Sequence, residues 1–236
     1  GVRVVKRSYG QYCGLAAALD LLGERWTLLV VRDLLPGPRR YQDLLDGLPG
    51  LATDLLTARL RTLESAGLVE RRRLESPGRG WVYELTERGA SLRPIIEGLA
   101  LWGGDLLPAP AVGPDAAHRL DPRWAMASMA AAYRAHGRSG DAALPCGDYR
   151  FVFVGAADEP PLTLTVTVRP DRARLRYGRR DDTPVLTVRG ATVPLLSVLS
   201  TRSTPAQAGV EVDGDAALLE QLVDAMPVPH GVATGQ

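Results

Sequence analysis

The chain has 236 residues, of which 45% are hydrophobic and 23% are charged, and its formal net charge is +1. This balance is typical of a soluble protein with two modest domains and excludes a polybasic protein that coats nucleic acid through gross charge. Two cysteines far apart in sequence, Cys13 and Cys146, provide neither a disulfide framework nor a zinc cluster. Without a long apolar run or a signal-peptide pattern, we expect a cytoplasmic protein with no membrane contact, no metal and no cofactor.

A proline-rich stretch divides the chain. It contains Pro108, Pro110, Pro114 and Pro122, a density that neither helix nor sheet tolerates. We therefore predict an α+β protein with a mainly helical domain at 1–107, a linker at 108–122, a domain of helices and strands at 123–228, and a tail at 229–236.

The N-terminal domain is predicted to hold four helices, a hairpin and a last helix, in that order. Leucines recur at helical spacing, and Gly23, the Pro36–Pro38 run and Gly67 are placed to end three of the helices. Two β-prone runs surround a Ser-Pro-Gly-Arg-Gly turn. The predicted elements are helices at Leu15–Leu22, Trp26–Leu34, Tyr41–Leu45 and Ala52–Ser65, strands at Leu68–Glu75 and Trp81–Leu85, and a helix that opens at Thr86 and ends near Trp102.

The fourth helix has the two faces that a DNA-recognition helix requires. Leu56, Leu60 and Leu63 form a narrow apolar seam, so the opposite side points to solvent. Such a helix fits the ~12 Å major groove, and an Arg-rich hairpin suits phosphate or minor-groove contact. An ordinary solvated surface has the same pattern, and that alternative stays open on periodicity alone. The predicted DNA-binding residues are Arg39, Arg40, Tyr41, Thr53, Asp54, Thr57, Ala58, Arg59, Arg61, Arg73 and Arg79.

The same region resembles the HxlR-type transcriptional regulators. The similar runs are CGLAAALDLLGERWTLL from Cys13, RYQDL from Arg40, LTARLRTLE from Leu56, GLV from Gly67 and YELTERG from Tyr83, followed by Trp102. The resemblance implies a winged helix-turn-helix homodimer that is joined through the first and last helices of the domain and reads an inverted repeat in double-stranded DNA. It places Thr53, Asp54, Thr57, Ala58 and Arg61 at the major groove and Arg79 at the minor groove.

Two positions qualify this resemblance. Where many relatives open the recognition helix with Ser and a basic residue, this chain has Ala52 and Asp54, so its operator sequence is left open. Asp54 repels phosphate. We expect it either to accept a hydrogen bond from a cytosine amino group or to lie at the rim of the DNA interface, where it is neutral for binding.

Cys13 matches a recurrent cysteine that is a redox sensor in some relatives. The favoured alternative is that Cys13 is a small buried residue at the dimer interface.

The C-terminal domain is predicted as an antiparallel sheet covered by helices. After a helix at Trp124–Tyr133, strands are predicted at Tyr149–Val154, Leu162–Arg169, Arg174–Tyr177, Val185–Val188 and Gly209–Val212, with helices at Gly190–Ser200 and after Asp215. This order, with runs such as LTV from Leu164 and PVLTVRG from Pro184, resembles a sterol-carrier-protein-like domain.

That second resemblance implies an apolar tunnel, although a filled core uses the same side chains. The predicted wall residues are Trp124, Met129, Tyr133, Phe151, Phe153, Leu164, Val166, Leu175, Leu195, Leu199, Leu222 and Met226. The complete hypothesis is a homodimeric DNA-binding regulator modulated by an apolar small molecule. The rival is an apolar-metabolite carrier with vestigial DNA binding. We predict no enzyme activity, because neither a nucleotide loop nor a catalytic grouping is found in the sequence.

Overall fold

A computed structural model describes residues 8–74, 80–106, 121–136, 144–155, 160–170, 172–178, 183–199 and 203–225. The chain divides into two compact units, Gly1–Ile96 and Glu97–Gln236. Most of the predicted linker lies outside the described residues, so the predicted domain boundaries stay predictions.

Four helices open the first unit and contribute apolar side chains to one core. Val30, Leu44, Leu56 and Leu60 are at most 1% exposed in this core. Burying each such side chain is worth about 1.5–3 kcal/mol, and tertiary contacts of this kind stabilise helices too short to persist alone. The helices are α1 (Gly14–Leu22), α2 (Thr27–Leu34), α3 (Tyr41–Gly47) and α4 (Thr53–Ser65).

The first unit also contains a three-stranded sheet, one strand more than the predicted hairpin, and its first strand lies between α2 and α3. The strands are β1 (Arg39–Arg40), β2 (Val69–Leu74) and β3 (Gly80–Leu85), and the spatial order is β1-β3-β2 with antiparallel pairs. Sequence reasoning missed β1 because a two-residue strand carries no detectable alternation. Its pairing with β3 joins the start of α3 to the hairpin.

The last helix of this region is divided into α5 (Glu87–Ala90) and α6 (Arg93–Trp102), where the sequence predicts one helix. Pro94 lacks the N–H that would donate to the carbonyl of Ala90, so a continuous helix is broken at this point. Gly89 lies so close to Leu68 that a Cβ would be 1.9 Å from its carbonyl oxygen. A short 3₁₀ turn, Gly103–Leu106, follows α6.

The described C-terminal residues contain a helix, α7 (Pro122–His136), and a five-stranded sheet. The spatial order is β6-β5-β4-β7-β8. The strands are β4 (Gly147–Val154), β5 (Leu162–Arg169), β6 (Arg172–Tyr177), β7 (Leu186–Ala191) and β8 (Glu211–Gly214). Along β5 and β6, apolar residues alternate with polar ones, and the apolar set lies in the core.

The prediction of an antiparallel sheet is wrong at its centre, because β4 and β7 pair in parallel, with Phe151 opposite Val188. The other three pairings are antiparallel, so the sheet is mixed. Period-two alternation determines which residues share a face, but it contains no information on which strand lies beside which. The resemblance to sterol-carrier proteins supplied the expectation, and this pairing corrects it.

Helices cover one face of this sheet. They are α7, α8 (Thr192–Leu199), α9 (Pro205–Ala208) and α10 (Ala216–Ala225). Met129, Leu195 and Leu222, on three different helices, share one buried cluster with Phe151 and Val166 of the sheet. Gly209, predicted to begin a strand, instead ends α9 with φ 64°, a left-handed conformation that favours glycine.

Candidate nucleic-acid interface

The outward side of α4 is exposed along the length of the helix. The seam of Leu56, Leu60 and Leu63 is at most 1% exposed, which orients the opposite side to solvent. Of the predicted contact residues, those that share exposure on this helix are Thr53, Asp54, Ala58 and Arg61. The structure therefore brings these four predicted residues together on one accessible surface.

Thr57, at the centre of the predicted contact row, is held by hydrogen bonds. Its hydroxyl donates to the Thr53 carbonyl over 2.9 Å, and the Tyr41 hydroxyl donates to the same carbonyl over 2.6 Å. The two hydroxyl oxygens are 3.1 Å apart. Tyr41 thus anchors the first turn of α4 to α3, and Thr57 is only partly exposed.

Arg39 and Arg59, both predicted to bind DNA, are engaged within the first unit. Arg39 is 8% exposed and donates through its guanidinium to the Asp43 carbonyl over 2.6 Å. Arg59 donates to the Glu24 carboxylate over 3.1 Å and to the Arg25 carbonyl over 3.2 Å. The bonds of Arg59 attach the turn before α2 to α4, and the bond of Arg39 attaches β1 to α3. The two arginines therefore do not belong to the exposed set.

Arg40 is exposed beside the start of the hairpin's second strand. Its backbone N–H donates to the Asp43 carboxylate over 3.1 Å, which caps the start of α3. Its guanidinium lies against Gly80, where a Cβ would be 3.0 Å from the nitrogen Nη1. Arg40 therefore lies where α3 meets the wing, the hairpin formed by β2 and β3.

The wing arginines have three different environments. Arg71 stacks over Trp81, with the guanidinium carbon 4.5 Å from the ring centroid, and Arg72 forms an ion pair with Glu84. Arg73 is exposed opposite Trp81, and neither a described carboxylate nor a described ring holds its guanidinium. Arg79, predicted at the tip, lies outside the described residues. Arg73 is thus the wing arginine in the described part that is available for a phosphate.

Cys13 is exposed immediately before α1. Hydrogen bonds from the backbone N–H groups of Ala16 and then Leu15 lower the pKa of the Cys13 thiol from its ordinary value. Sequence reasoning missed the helix N-terminus as the source of this shift, although the start of a helix near Gly14 was readable from the leucine spacing.

The predicted ligand-binding residues lie mainly in the buried cluster of the C-terminal unit. Trp124 is only partly buried, and Met226 lies outside the described residues. The ten others share that cluster, each at most 3% exposed: Met129, Tyr133, Phe151, Phe153, Leu164, Val166, Leu175, Leu195, Leu199 and Leu222. The structure therefore brings them together as close-packed neighbours of one another.

Two negative findings apply to the described part of the chain. Its His, Cys, Asp and Glu residues form no group of three or more that is placed to hold a metal ion. Its helices include none with both the length and the apolar character needed to cross a bilayer.

Comparison with known proteins identifies the N-terminal region. The family model of the HxlR-like helix-turn-helix matches residues 21–110. The uncharacterized HTH-type transcriptional regulator sll1512 of Synechocystis is 39% identical over 98 residues, which are 42% of this chain and 73% of that protein. The uncharacterized regulator YkvN of Bacillus subtilis is 36% identical over 39% of this chain and 78% of its own length.

Among solved structures, the reduced form of the regulator YodB from B. subtilis is 30% identical and has a TM-score of 0.36, covering 40% of this chain and 94% of its own. The identity with the Synechocystis protein over most of its length, together with the matching family model, confirms the predicted relationship. Through this N-terminal region, the chain belongs to the HxlR-like helix-turn-helix family.

Proposed function

We propose that this protein is a transcriptional regulator that binds double-stranded DNA as a homodimer and reads an inverted repeat through α4 and the wing. The observation that carries the proposal is the two-sided character of α4. Leu56, Leu60 and Leu63 are buried, while Thr53, Ala58 and Arg61 are exposed on the opposite side of the helix. A recognition helix needs such a surface to lie in the major groove.

Exposed apolar side chains on α1 and α6 support the homodimer. On α6, Ile95, Leu99 and Trp102 are 55%, 50% and 72% exposed, and their spacing of four and three residues places them on one side of the helix. On α1, Leu15 and Leu19 are 69% and 39% exposed at the same spacing. Apolar patches of this kind mark interaction surfaces, and a second copy of the chain is the occupant that a palindromic operator requires.

We further propose that an apolar small molecule modulates DNA binding through the C-terminal region. Its sheet and helices surround a cluster rich in aromatic side chains together with Met126 and Met129, and methionine adapts readily to the shape of apolar ligands. A ligand that prefers one spacing of the two recognition helices shifts DNA affinity by that preference, typically ~1–3 kcal/mol. A thermal-shift screen of apolar metabolites, repeated with operator DNA, tests this second step.

A gel shift on the DNA upstream of the gene, at several salt concentrations, tests DNA binding. The wild-type protein is expected to form a specific complex far tighter than its non-specific one, whereas an apolar-metabolite carrier forms none. Arg61→Ala is expected to weaken the specific complex by about tenfold or more, the size of one base or phosphate contact. The matched control is Arg189→Ala, since Arg189 is exposed on the C-terminal sheet.

Two further variants separate sequence readout from phosphate contact. Thr57→Ala is expected to change operator preference, whereas Arg79→Ala is expected to weaken binding to all DNA nearly uniformly and to reduce the salt dependence. Wild-type behaviour of Arg61→Ala, Thr57→Ala and Arg79→Ala together would show that the assignment of α4 and the wing to the grooves is wrong.

A further inference from the structure

The outer face of the C-terminal sheet, opposite its helices, carries a row of arginines on β6. Ala173 and Leu175 point into the core, so the alternating residues Arg172, Arg174 and Arg176 lie on the other face, and all three are exposed. Side chains of alternate residues are roughly 7 Å apart along a strand. The row therefore concentrates three positive charges along one edge strand.

These arginines line an open pocket of about 120 Å³ together with Arg169 and Thr167 of the neighbouring strand. The strand register explains the grouping, because Arg174 is opposite Thr167 and Arg172 is opposite Arg169. Directly opposite side chains have Cβ atoms about 4.5–5.5 Å apart, and like charges at this distance are destabilising. An anion in the pocket would reduce the repulsion between like charges that lie this close together.

Neighbouring groups hold the inner part of the pocket. Thr167 is 8% exposed, and its hydroxyl donates to the Asp148 carboxylate over 2.7 Å. Arg169 donates to the Val168 carbonyl over 2.8 Å. Because the hydroxyl proton of Thr167 is used in this way, the guanidinium groups of Arg174 and Arg176 are the donors on which the site depends. Among the described residues, neither a carboxylate nor a carbonyl holds the guanidinium of Arg174 or Arg176.

We propose that this pocket binds a compact anion that carries two or more phosphate groups. A planar guanidinium donates two parallel hydrogen bonds to a phosphate, so a pocket lined by arginines suits phosphate groups. Arg174 and Arg176 lie side by side on one strand, so each guanidinium can hold one phosphate group of an anion that carries two. The small volume and the concentration of charge at two adjoining strands favour a small molecule over the extended backbone of a nucleic acid.

Isothermal titration calorimetry of the full-length chain with inorganic pyrophosphate tests the site. The double variant Arg174→Ala/Arg176→Ala is expected to bind about a hundredfold more weakly, since each hydrogen bond between charged groups is worth about tenfold or more. Arg189→Ala is the matched control. Arg189 is 50% exposed on the same face of the sheet, 3.9 Å from Glu211, and does not line the pocket. Its loss is expected to leave pyrophosphate affinity unchanged.

Comparison ligands and a second variant make the test decisive. Orthophosphate is expected to bind more weakly than pyrophosphate, and Arg174→Lys/Arg176→Lys is expected to lie between wild type and the alanine variant, because it keeps charge but loses the guanidinium fork. This variant also serves if the alanine variant does not fold.

Four results would each overturn the proposal. The first is no heat of binding with millimolar pyrophosphate, and the second is that Arg189→Ala weakens pyrophosphate binding as much as the double variant does. The third is that a tricarboxylate binds with the same affinity as pyrophosphate. The fourth is that the Arg174/Arg176 variants bind pyrophosphate as wild type does but bind duplex DNA more weakly. The last of these would assign the row to DNA contact. Because the readout is a small anion, failure here leaves the proposed role of α4 untouched.

Discussion

The helix-turn-helix region and the sheet region differ in how far their large apolar side chains are exposed to solvent. In residues 8–106, aromatic and aliphatic side chains such as Tyr12, Leu99 and Trp102 are at least half exposed. In the described part of residues 121–225, the most exposed large apolar side chains are two valines, Val154 and Val193, at 37% and 42%. We interpret the first pattern as a surface for a second copy of the chain and the second as a core that needs no second copy of the chain to cover it.

Removal of a core aromatic side chain is the strongest test of this contrast. Phe151 is fully buried on the central strand β4, between Leu164 and Val188 of the neighbouring strands. Phe151→Ala is expected to lower the free energy of unfolding by about 3–5 kcal/mol, because it removes apolar contacts and leaves a cavity. Chemical denaturation measures the loss. A change below about 1 kcal/mol would mean that Phe151 lines an open ligand space and not a filled core.

The matched control lies on the same strand. Val154 is 37% exposed, and Val154→Ala is expected to change stability by no more than about 0.5 kcal/mol. If Phe151→Ala and Val154→Ala lowered the free energy of unfolding by the same amount, burial would not explain the stability contributed at the two positions.

Truncation of the most exposed tryptophan tests the other half of the contrast. Trp102→Ala is expected to weaken self-association by roughly 30-fold, or about 2 kcal/mol, because aromatic side chains at the centre of interfaces carry much of the binding energy. Sedimentation equilibrium measures the monomer–dimer constant. Trp81→Ala is the control of the same residue type, since Trp81 is 48% exposed on the wing. Equal dissociation constants for wild type and Trp102→Ala would contradict the proposed interface on α6.

A smaller effect follows from a buried hydroxyl of the sheet region. Burial, with smaller contributions from Tyr133 and Cys146, raises the pKa of Tyr149 from 10 to about 12, and its hydroxyl donates to the Pro145 carbonyl over 3.0 Å. The unfolded chain therefore loses this proton first. Stability from this group is complete below pH 10 and is lost as the pH rises through the folded pKa of about 12.

Denaturation curves between pH 9 and pH 12 measure this slope. Tyr149→Phe is expected to be less stable at neutral pH, by about 1 kcal/mol for one hydrogen bond, and to lose part of the alkaline decline. An identical decline in both proteins would assign the alkaline transition to other groups.

The smallest effect concerns the exposed thiol of the helix-turn-helix region. Since backbone N–H groups lower the pKa of Cys13, its thiolate fraction and its alkylation rate at neutral pH are expected to exceed those of a free cysteine. Iodoacetamide rates for Cys146→Ser, measured against pH, give the titration of Cys13 alone. Alkylation of Cys13 that is slow in the dimer and rapid in Trp102→Ala would support the alternative in which Cys13 lies buried at the interface.

Much of the fold was predictable where a regular period covers a whole element. The seam of Leu56, Leu60 and Leu63 predicts α4 and its orientation, and the alternation along β5 predicts the face that enters the core. The division between α5 and α6 was readable from Pro94, but the prediction extended a single helix through it. The exposed positions Thr53, Asp54, Ala58 and Arg61 of the candidate DNA surface follow from the sequence, whereas the hydrogen bonds of Arg39 and Arg59 do not. Their partners are carbonyl and carboxylate groups that lie elsewhere, and no local pattern shows them.

The sequence alone determined the helical seams, the faces of most strands and the relationship of the N-terminal region to its family, because each of these depends on residues close together in the chain. The tertiary structure decided the parallel pairing of β4 with β7, the addition of β1 to the wing, and the grouping of arginines from β5 and β6 around one pocket. The physical reason is that hydrogen bonds between strands and contacts between distant side chains depend on how the whole chain closes. Local periodicity reports only which side of an element faces the core.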